Sequence, residues 1–209
     1  MIRGLVGKGA SVLAIGAHAD DVEIGCAGTL LRVLDEVDSV SLHWIVLSAE
    51  GIRADEARAS ATKLAGEKLA ELSVLDFRER YFPHLPKLKE RFDALAAEAT
   101  PDLVLCPWKG DAHQDHATTG RLVHETFRNA LVLQYEIPKR DGDVGRPGIY
   151  VPLSEDLMQR KTDHLMELFP SQLARAWFET ETFRGLAKLR GIEAGTAYAE
   201  AFHCDRLVL

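Results

Sequence analysis

Cysteine is scarce and poorly spaced for bonding: Cys26, Cys106 and Cys204 are the only three in 209 residues, with no C-x-x-C pair. An odd, scattered set excludes a disulfide framework and a thiolate zinc site, and fits a reducing cytosol. Lys/Arg-rich runs are missing, and 32 acidic residues against 25 basic ones leave a formal charge of -7. That balance argues against a nucleic-acid backbone or an anionic membrane as partner. Long apolar runs are missing too. The first, residues 12–17, is far too short to cross a bilayer, and it ends in His18-Ala19-Asp20-Asp21, which is no cleavage site. A cytoplasmic protein without stable membrane insertion is expected. What is present is ordinary for a globular chain, 46% hydrophobic and 27% charged, and long enough to bury a core without staples. Against three cysteines stand eight histidines, so any metal must sit among imidazoles and carboxylates.

Apolar runs alternate with amphipathic stretches. Strands are expected at residues 12–17, 40–48, 74–77, 103–106 and 131–136, with helices at 22–37, 54–72, 87–99 and 115–129. This rhythm predicts an α/β fold: a Rossmann-like, doubly wound, mostly parallel sheet with helices on both faces. Residues 138–148, rich in Pro and Gly, read as a loop. Helices at 154–169 and 174–189 and a strand at 202–209 then complete a C-terminal capping region. We expect one domain over 1–209, with its core at 1–137 and its cap at 138–209.

Ligands of such sheets bind at the carboxyl ends of the strands, beside the point where strand order reverses. With the order 3-2-1-4-5, strands 1 and 4 flank that point, so the segments after Ala17 and Cys106 should meet. The first is Gly16-Ala17-His18-Ala19-Asp20-Asp21-Val22-Glu23. A dinucleotide-binding chain would carry G-x-G-x-x-G here. An imidazole and two carboxylates instead repel phosphate and suit a cation. Helix capping accounts for one carboxylate, not for both and a histidine. The second is Pro107-Trp108-Lys109-Gly110-Asp111-Ala112-His113-Gln114-Asp115-His116. Together they supply His18, Asp21 and His116 as three N/O ligands and leave a fourth position for water, the layout of a catalytic zinc site. Asp20 is free to take the water's proton. His113, oriented by Asp111 or Asp115, can serve as acid or oxyanion stabiliser.

On these residues the sequence resembles the PIG-L/LmbE-like family of zinc-dependent N-acetylglucosaminyl deacetylases. The family's A-H-P-D-D-x-E-x-G-x-G-G-T stands here as Ala17-His18-Ala19-Asp20-Asp21-Val22-Glu23-Ile24-Gly25-Cys26-Ala27-Gly28-Thr29, and its H-P-D-H as His113-Gln114-Asp115-His116. Weaker echoes are the stretch from Arg53 to Gly66 and Tyr198-Ala199-Glu200-Ala201-Phe202. The resemblance implies metal ligation by His18, Asp21 and His116, with Asp20 as general base. It implies His113 with Asp115 as the acid or oxyanion-stabilising pair, and Arg53 and Tyr198 as substrate contacts. The implied cofactor is Zn2+, with another divalent metal such as Fe2+ as alternative. The implied partner is a small N-acetylated sugar or glycoconjugate, and a homo-oligomer is compatible with it. Ala19 and Gln114 replace prolines of the pattern; neither is a ligand, so the chemistry should survive with a substrate of its own. The rival readings are a hydrolase of another N-acyl amide and a non-catalytic metal- or sugar-binding protein.

Other residues have plainer readings. Gly25 and Gly28 suit close packing of the first helix, and Cys26 and Cys106 suit the core. Glu23 compensates a helix dipole or hydrogen-bonds a ligand histidine. His43, His124 and His164 are read as ordinary. His84, His203 and Trp108 are left open as pocket residues.

Overall fold

The computed structural model describes residues 6–207. Along the chain run β1 (Ser11–His18), α1 (Asp21–Glu36), β2 (Ser41–Ser48), α2 (Ile52–Ala65), β3 (Leu69–Val74), α3 (Pro86–Glu98), β4 (Leu103–Pro107), α4 (Gln114–Thr126) and β5 (Leu131–Tyr135). After the 138–148 loop come β6 (Ile149–Leu153), α5 (Glu155–Leu168), α6 (Thr180–Ala194) and β7 (Tyr198–His203). All seven strands join one sheet in the order β3-β2-β1-β4-β5-β7-β6. The first five are parallel, and β7 runs antiparallel between β5 and β6. The expected 3-2-1-4-5 order is therefore present, and β1 lies directly against β4.

Side chains of β1 alternate as a strand between two packed layers must. Val12 and Ala14 join the core beneath α1, α2, α5 and α6, whereas Leu13, Ile15 and Ala17 join the core beneath α3 and α4. The sheet is thus apolar on both faces. Polar chemistry is left to the strand ends.

Several boundaries differ from expectation, most of all in the following elements. Helix α2 stops at Ala65, where Gly66 takes a φ of 54°, and β3 occupies 69–74 instead of 74–77. Pairing with β2 through Trp44 opposite Leu72 outweighs the helix propensity of the Leu-Ala-Glu-Leu run. Helix α6 begins at Thr180, not at 174, because Phe178 is packed edge-on against both Phe169 and Phe183. The last strand spans 198–203 where 202–209 was expected; residues 208 and 209 lie outside the described part. Strand β6 was not anticipated. Its Pro152 is tolerated because β6 is a sheet edge.

Helix α1 carries two acids of the first motif in its opening turn, and it is not straight. Cys26 has non-helical angles (φ -150°, ψ 18°), which frees backbone groups on either side. Buried Glu200 on β7 accepts from the amides of Gly28 (2.9 Å) and Thr29 (2.6 Å). Lys161 on α5 donates to the carbonyl of Ile24 (2.7 Å) and to Glu200 (2.6 Å). So the capping elements satisfy the break in α1. Below it, an added Cβ on Gly25 would stand 2.1 Å from the ring of Tyr135, and one on Gly28 would stand 2.5 Å from Leu153. Both glycines are packing residues.

Candidate active site

The two polar turns meet at the carboxyl edge of β1 and β4. Nδ1 of His18 lies 3.2 Å from Nε2 of His116. Oδ2 of Asp21 lies 3.5 Å from the first and 3.4 Å from the second. Three donor atoms from the two turns thus form a near-equilateral triangle. A tetrahedral ion with bonds of ~2.0–2.2 Å needs its donors about 3.3–3.6 Å apart, so the triangle fits such an ion. His113 also brings a ring nitrogen to within 4.8 Å of those of His18 and His116.

Each outer imidazole nitrogen has its own carboxylate. Nε2 of His18 is 3.2 Å from Asp115, and Nδ1 of His116 is 3.1 Å from Asp111. This is the support that orients metal-binding imidazoles. Asp115 is itself pinned by the amides of Arg80 (2.5 Å) and Phe82 (3.2 Å). Burial pulls the His18 and His116 imidazoles down, but Asp21 and the outer carboxylates outweigh it and lift them to about 10 and about 9. Asp21 is buried, yet the two imidazoles hold it well below the usual carboxylate range. Such a site demands positive charge, supplied by protons or by an ion that displaces them.

His113 is the N-cap of α4, and its Nδ1 accepts the backbone N–H of Asp115 (3.2 Å). A backbone N–H can only donate, so in the neutral ring the proton sits on Nε2. Burial, aided by His116 and His18, pushes this imidazole down and keeps it neutral. The expected pairing of His113 with the Asp115 side chain is not what the structure has. The Asp115 carboxylate goes to His18, and only its amide serves His113.

Asp20 is buried and makes no capping bond. Its Oδ1 is 2.7 Å from the guanidinium of Arg53. Burial raises the Asp20 carboxyl above its ordinary value, with Arg53 opposing. Arg53 is further tied to Glu56 (2.8 Å) and Ser171 (3.3 Å) and lies over the ring of Phe169. Its guanidinium is therefore engaged by an acid of the cluster as well as by α2 and the segment after α5. Tyr198 stands apart. Its hydroxyl accepts from Arg184 (2.7 Å) and its ring is covered by Arg184 and Lys188; no contact joins it to the cluster among the described residues.

Glu23 bonds to neither His18 nor His116. It is buried against Ser60, whose hydroxyl is 2.7 Å from Nε2 of His164. Burial pushes Glu23 up to about 8 and His164 down to about 4, so both are neutral near pH 7. Trp108 stacks on His203 at 4.1 Å, with Gly145 packed against both. His84 is exposed on a 3-10 turn. Sequence reasoning missed Lys139, whose Nζ lies 2.7 Å from Asp111. A lone lysine in a loop carries no spacing signal.

A doubly wound sheet with, at its switch point, an imidazole-carboxylate cluster that could hold a metal ion defines an α/β protein of the Rossmann-like class. Residues 13–127, more than half of the chain, match the family model PIG-L: GlcNAc-PI de-N-acetylase. The chain belongs to the PIG-L family. Among solved structures it is similar to an N,N'-diacetylchitobiose deacetylase from Pyrococcus horikoshii (22% identity, TM-score 0.74, covering 93% of this chain and 83% of that one). It is similar to a conserved protein from Thermus thermophilus (24% identity, TM-score 0.77, 96% of each chain). It also resembles the 4-carboxy-2-hydroxymuconate hydratase GalB from Pseudomonas putida (17% identity, TM-score 0.75, 96% and 98%). At these identities the likeness is one of fold. No helix among the described residues is long and apolar enough to cross a membrane.

Proposed function

We propose that the protein is a metal-dependent N-deacetylase acting on an N-acetylated amino sugar or sugar conjugate. The observation that carries this reading is the donor triangle of His18, Asp21 and His116 with a buried carboxylate, Asp20, one residue from it. Family membership and the chitobiose deacetylase fold support the substrate class. His18, Asp21 and His116 would hold the ion. His113 would be a weaker fourth donor, because its Nδ1 is taken by an amide and its Nε2 carries the proton. When bound, a Zn2+ or similar divalent ion supplies the Lewis acidity that makes water nucleophilic near pH 7 and polarises an acyl carbonyl.

The chain's own residues divide the remaining work. Asp20, raised by burial and oriented by Arg53, takes the proton of the attacking water. Nε2–H of His113 donates to the oxyanion that develops as water adds to the acyl carbon. The C–N bond then breaks, and the proton held by Asp20 goes to the leaving amine, giving acetate and a free amino sugar. Tyr198 has no part in this scheme.

The test joins metal analysis of the purified protein to acetate release from free, nucleotide-linked and lipid-linked N-acetyl sugars. Other N-acyl amines and an unsaturated carboxylate extend the panel. We expect about one divalent ion per chain, acetate release from at least one sugar, and loss of both in His116→Ala. Stoichiometric metal in that variant would sink the ligand set. A metal-loaded protein that releases no acetate, but hydrates the unsaturated acid, would sink the deacetylase reading.

A further inference from the structure

Lys139 lies in the 138–148 loop and has no role in the scheme above. Its Nζ is 2.7 Å from Oδ2 of Asp111 and 2.7 Å from Oδ2 of Asp143, and its side chain is only 13% exposed. Both carboxylates grip the turn before α4. Oδ2 of Asp111 holds Nδ1 of His116 (3.1 Å), and its Oδ1 accepts the amide of His113 (2.7 Å). Oδ2 of Asp143 accepts the amide of Ala112 (2.6 Å). One ammonium thus joins two carboxylates that would otherwise face each other, and like charges at such range repel. The far side of the loop is anchored as well. Arg190 donates to the carbonyl of Gly145 (3.0 Å) while paired with buried Glu136.

Remove the ammonium and the repulsion acts on the two groups least able to move together, Asp111 in the turn and Asp143 in the loop. As Asp111 turns away, His116 loses the partner that fixes its ring orientation and its tautomer. The loop, in turn, loses its tie to the 111–113 segment.

Resting on the metal reading above, we propose that Lys139 is a positioning residue for that ion. It fixes Asp111 on His116 and so couples the 138–148 loop to metal occupancy. Coupling of this kind is reciprocal: what holds the loop tightens the metal, and the metal holds the loop. Arg140, exposed next to Lys139, offers a tryptic site that reports the loop's state.

The experiment measures the zinc dissociation constant by competition with a chromophoric chelator, and tryptic cleavage after Arg140 with and without zinc. Wild type, Lys139→Met and Lys139→Arg are compared, with thermal unfolding of each zinc-free protein alongside. We expect wild type to bind zinc and to be protected by it. Lys139→Met should bind ~10–100-fold more weakly, the usual scale for losing an outer partner of a ligand, and lose the protection. Lys139→Arg should recover most of both. Unchanged zinc affinity in Lys139→Met overturns the proposal, and a lower melting temperature beside that unchanged affinity makes Lys139 merely structural. A wild type that takes up no zinc overturns the metal reading itself, and this proposal with it.

Discussion

The two turns that build the site are differently made. The β1–α1 turn concentrates three buried acids, Asp20, Asp21 and Glu23, and finds its partners far along the chain. Asp20 relies on Arg53 of α2, Asp21 on His116 of α4 besides the amide and ring of its own turn's His18, and Glu23 on Ser60 with His164 behind it. The β4–α4 turn largely serves itself. Asp111 holds both His116 and the amide of His113, and the amide of Asp115 caps onto the ring of His113. Buried like charges cannot stabilise one another, so an acidic turn needs imported cations and donors. An alternating Asp/His turn contains more of its own, with Lys139 added on Asp111 and the amides of Arg80 and Phe82 on Asp115. The first turn is therefore the place where the rest of the fold is wired into the chemistry.

The largest expected effect tests the division of labour between the turns. Asp20→Asn keeps the shape and an oxygen for Arg53 but removes the proposed base, and should lower kcat by roughly 10²–10⁴-fold with metal content unchanged. His113→Ala removes the proposed oxyanion donor of the other turn and should cost about 10²–10³-fold, again with metal retained. Steady-state rates on the best sugar of the panel, with metal analysis of each variant, decide it. Near wild-type turnover in Asp20→Asn would move the base out of the first turn. Loss of metal in His113→Ala would move His113 into the ligand set.

This contrast also explains what could be read without a structure. The parallel core, its 3-2-1-4-5 order and the meeting of His18, Asp21 and His116 follow from apolar strands ending in polar turns. Those are local patterns joined by one topological rule. The partners of the first turn were not legible, because Arg53 reads equally as an anion binder or the start of α2, and Ser60 and His164 have no motif at all. Asp115 misleads for a related reason. Spacing places it two residues from His113, but the strand pairing delivers His18 to its carboxylate instead. Tyr198 stands within the tail motif, yet Glu200 of the same motif is the residue that reaches α1.

A smaller effect sharpens the claim that the first turn is held from outside. Gly25 lets α1 lie on the ring of Tyr135, whose hydroxyl is fixed on the carbonyl of Ile15 (2.7 Å). Gly25→Ala should destabilise by about 3 kcal/mol, the upper end of the overpacking range, because a ring bound at its far end cannot yield. Gly185→Ala is the control. It lies in α6 with nothing within 4 Å of an added Cβ, and should gain up to ~1 kcal/mol from helix propensity alone. Urea unfolding of the metal-free proteins measures both. Equal stabilities for the two variants would mean that α1 is free to shift on the sheet, and the contrast between the turns would lose its structural basis.

The smallest effect concerns the support beneath Glu23. His164 is held down to about 4 in the folded protein by burial, with Lys63 adding to it, against an ordinary 6.5. Between those values the unfolded chain binds the proton and the folded one does not. Stability from this group is therefore fully present above pH 6.5 and is lost as pH falls toward 4, by ~2–3 kcal/mol at most. Glu23 works in the opposite sense. Raised to about 8, it costs stability as pH rises from its unfolded value, so the wild-type profile mixes the two. His164→Gln separates them, because glutamine can still bond Ser60 but does not titrate. Between pH 7.5 and 4.5, under chelator, the variant should lose less stability than wild type by ~2 kcal/mol. Parallel profiles would show that His164 takes its proton equally in both states. In that case α5 supports the acidic turn through packing alone, without a neutral imidazole against Ser60.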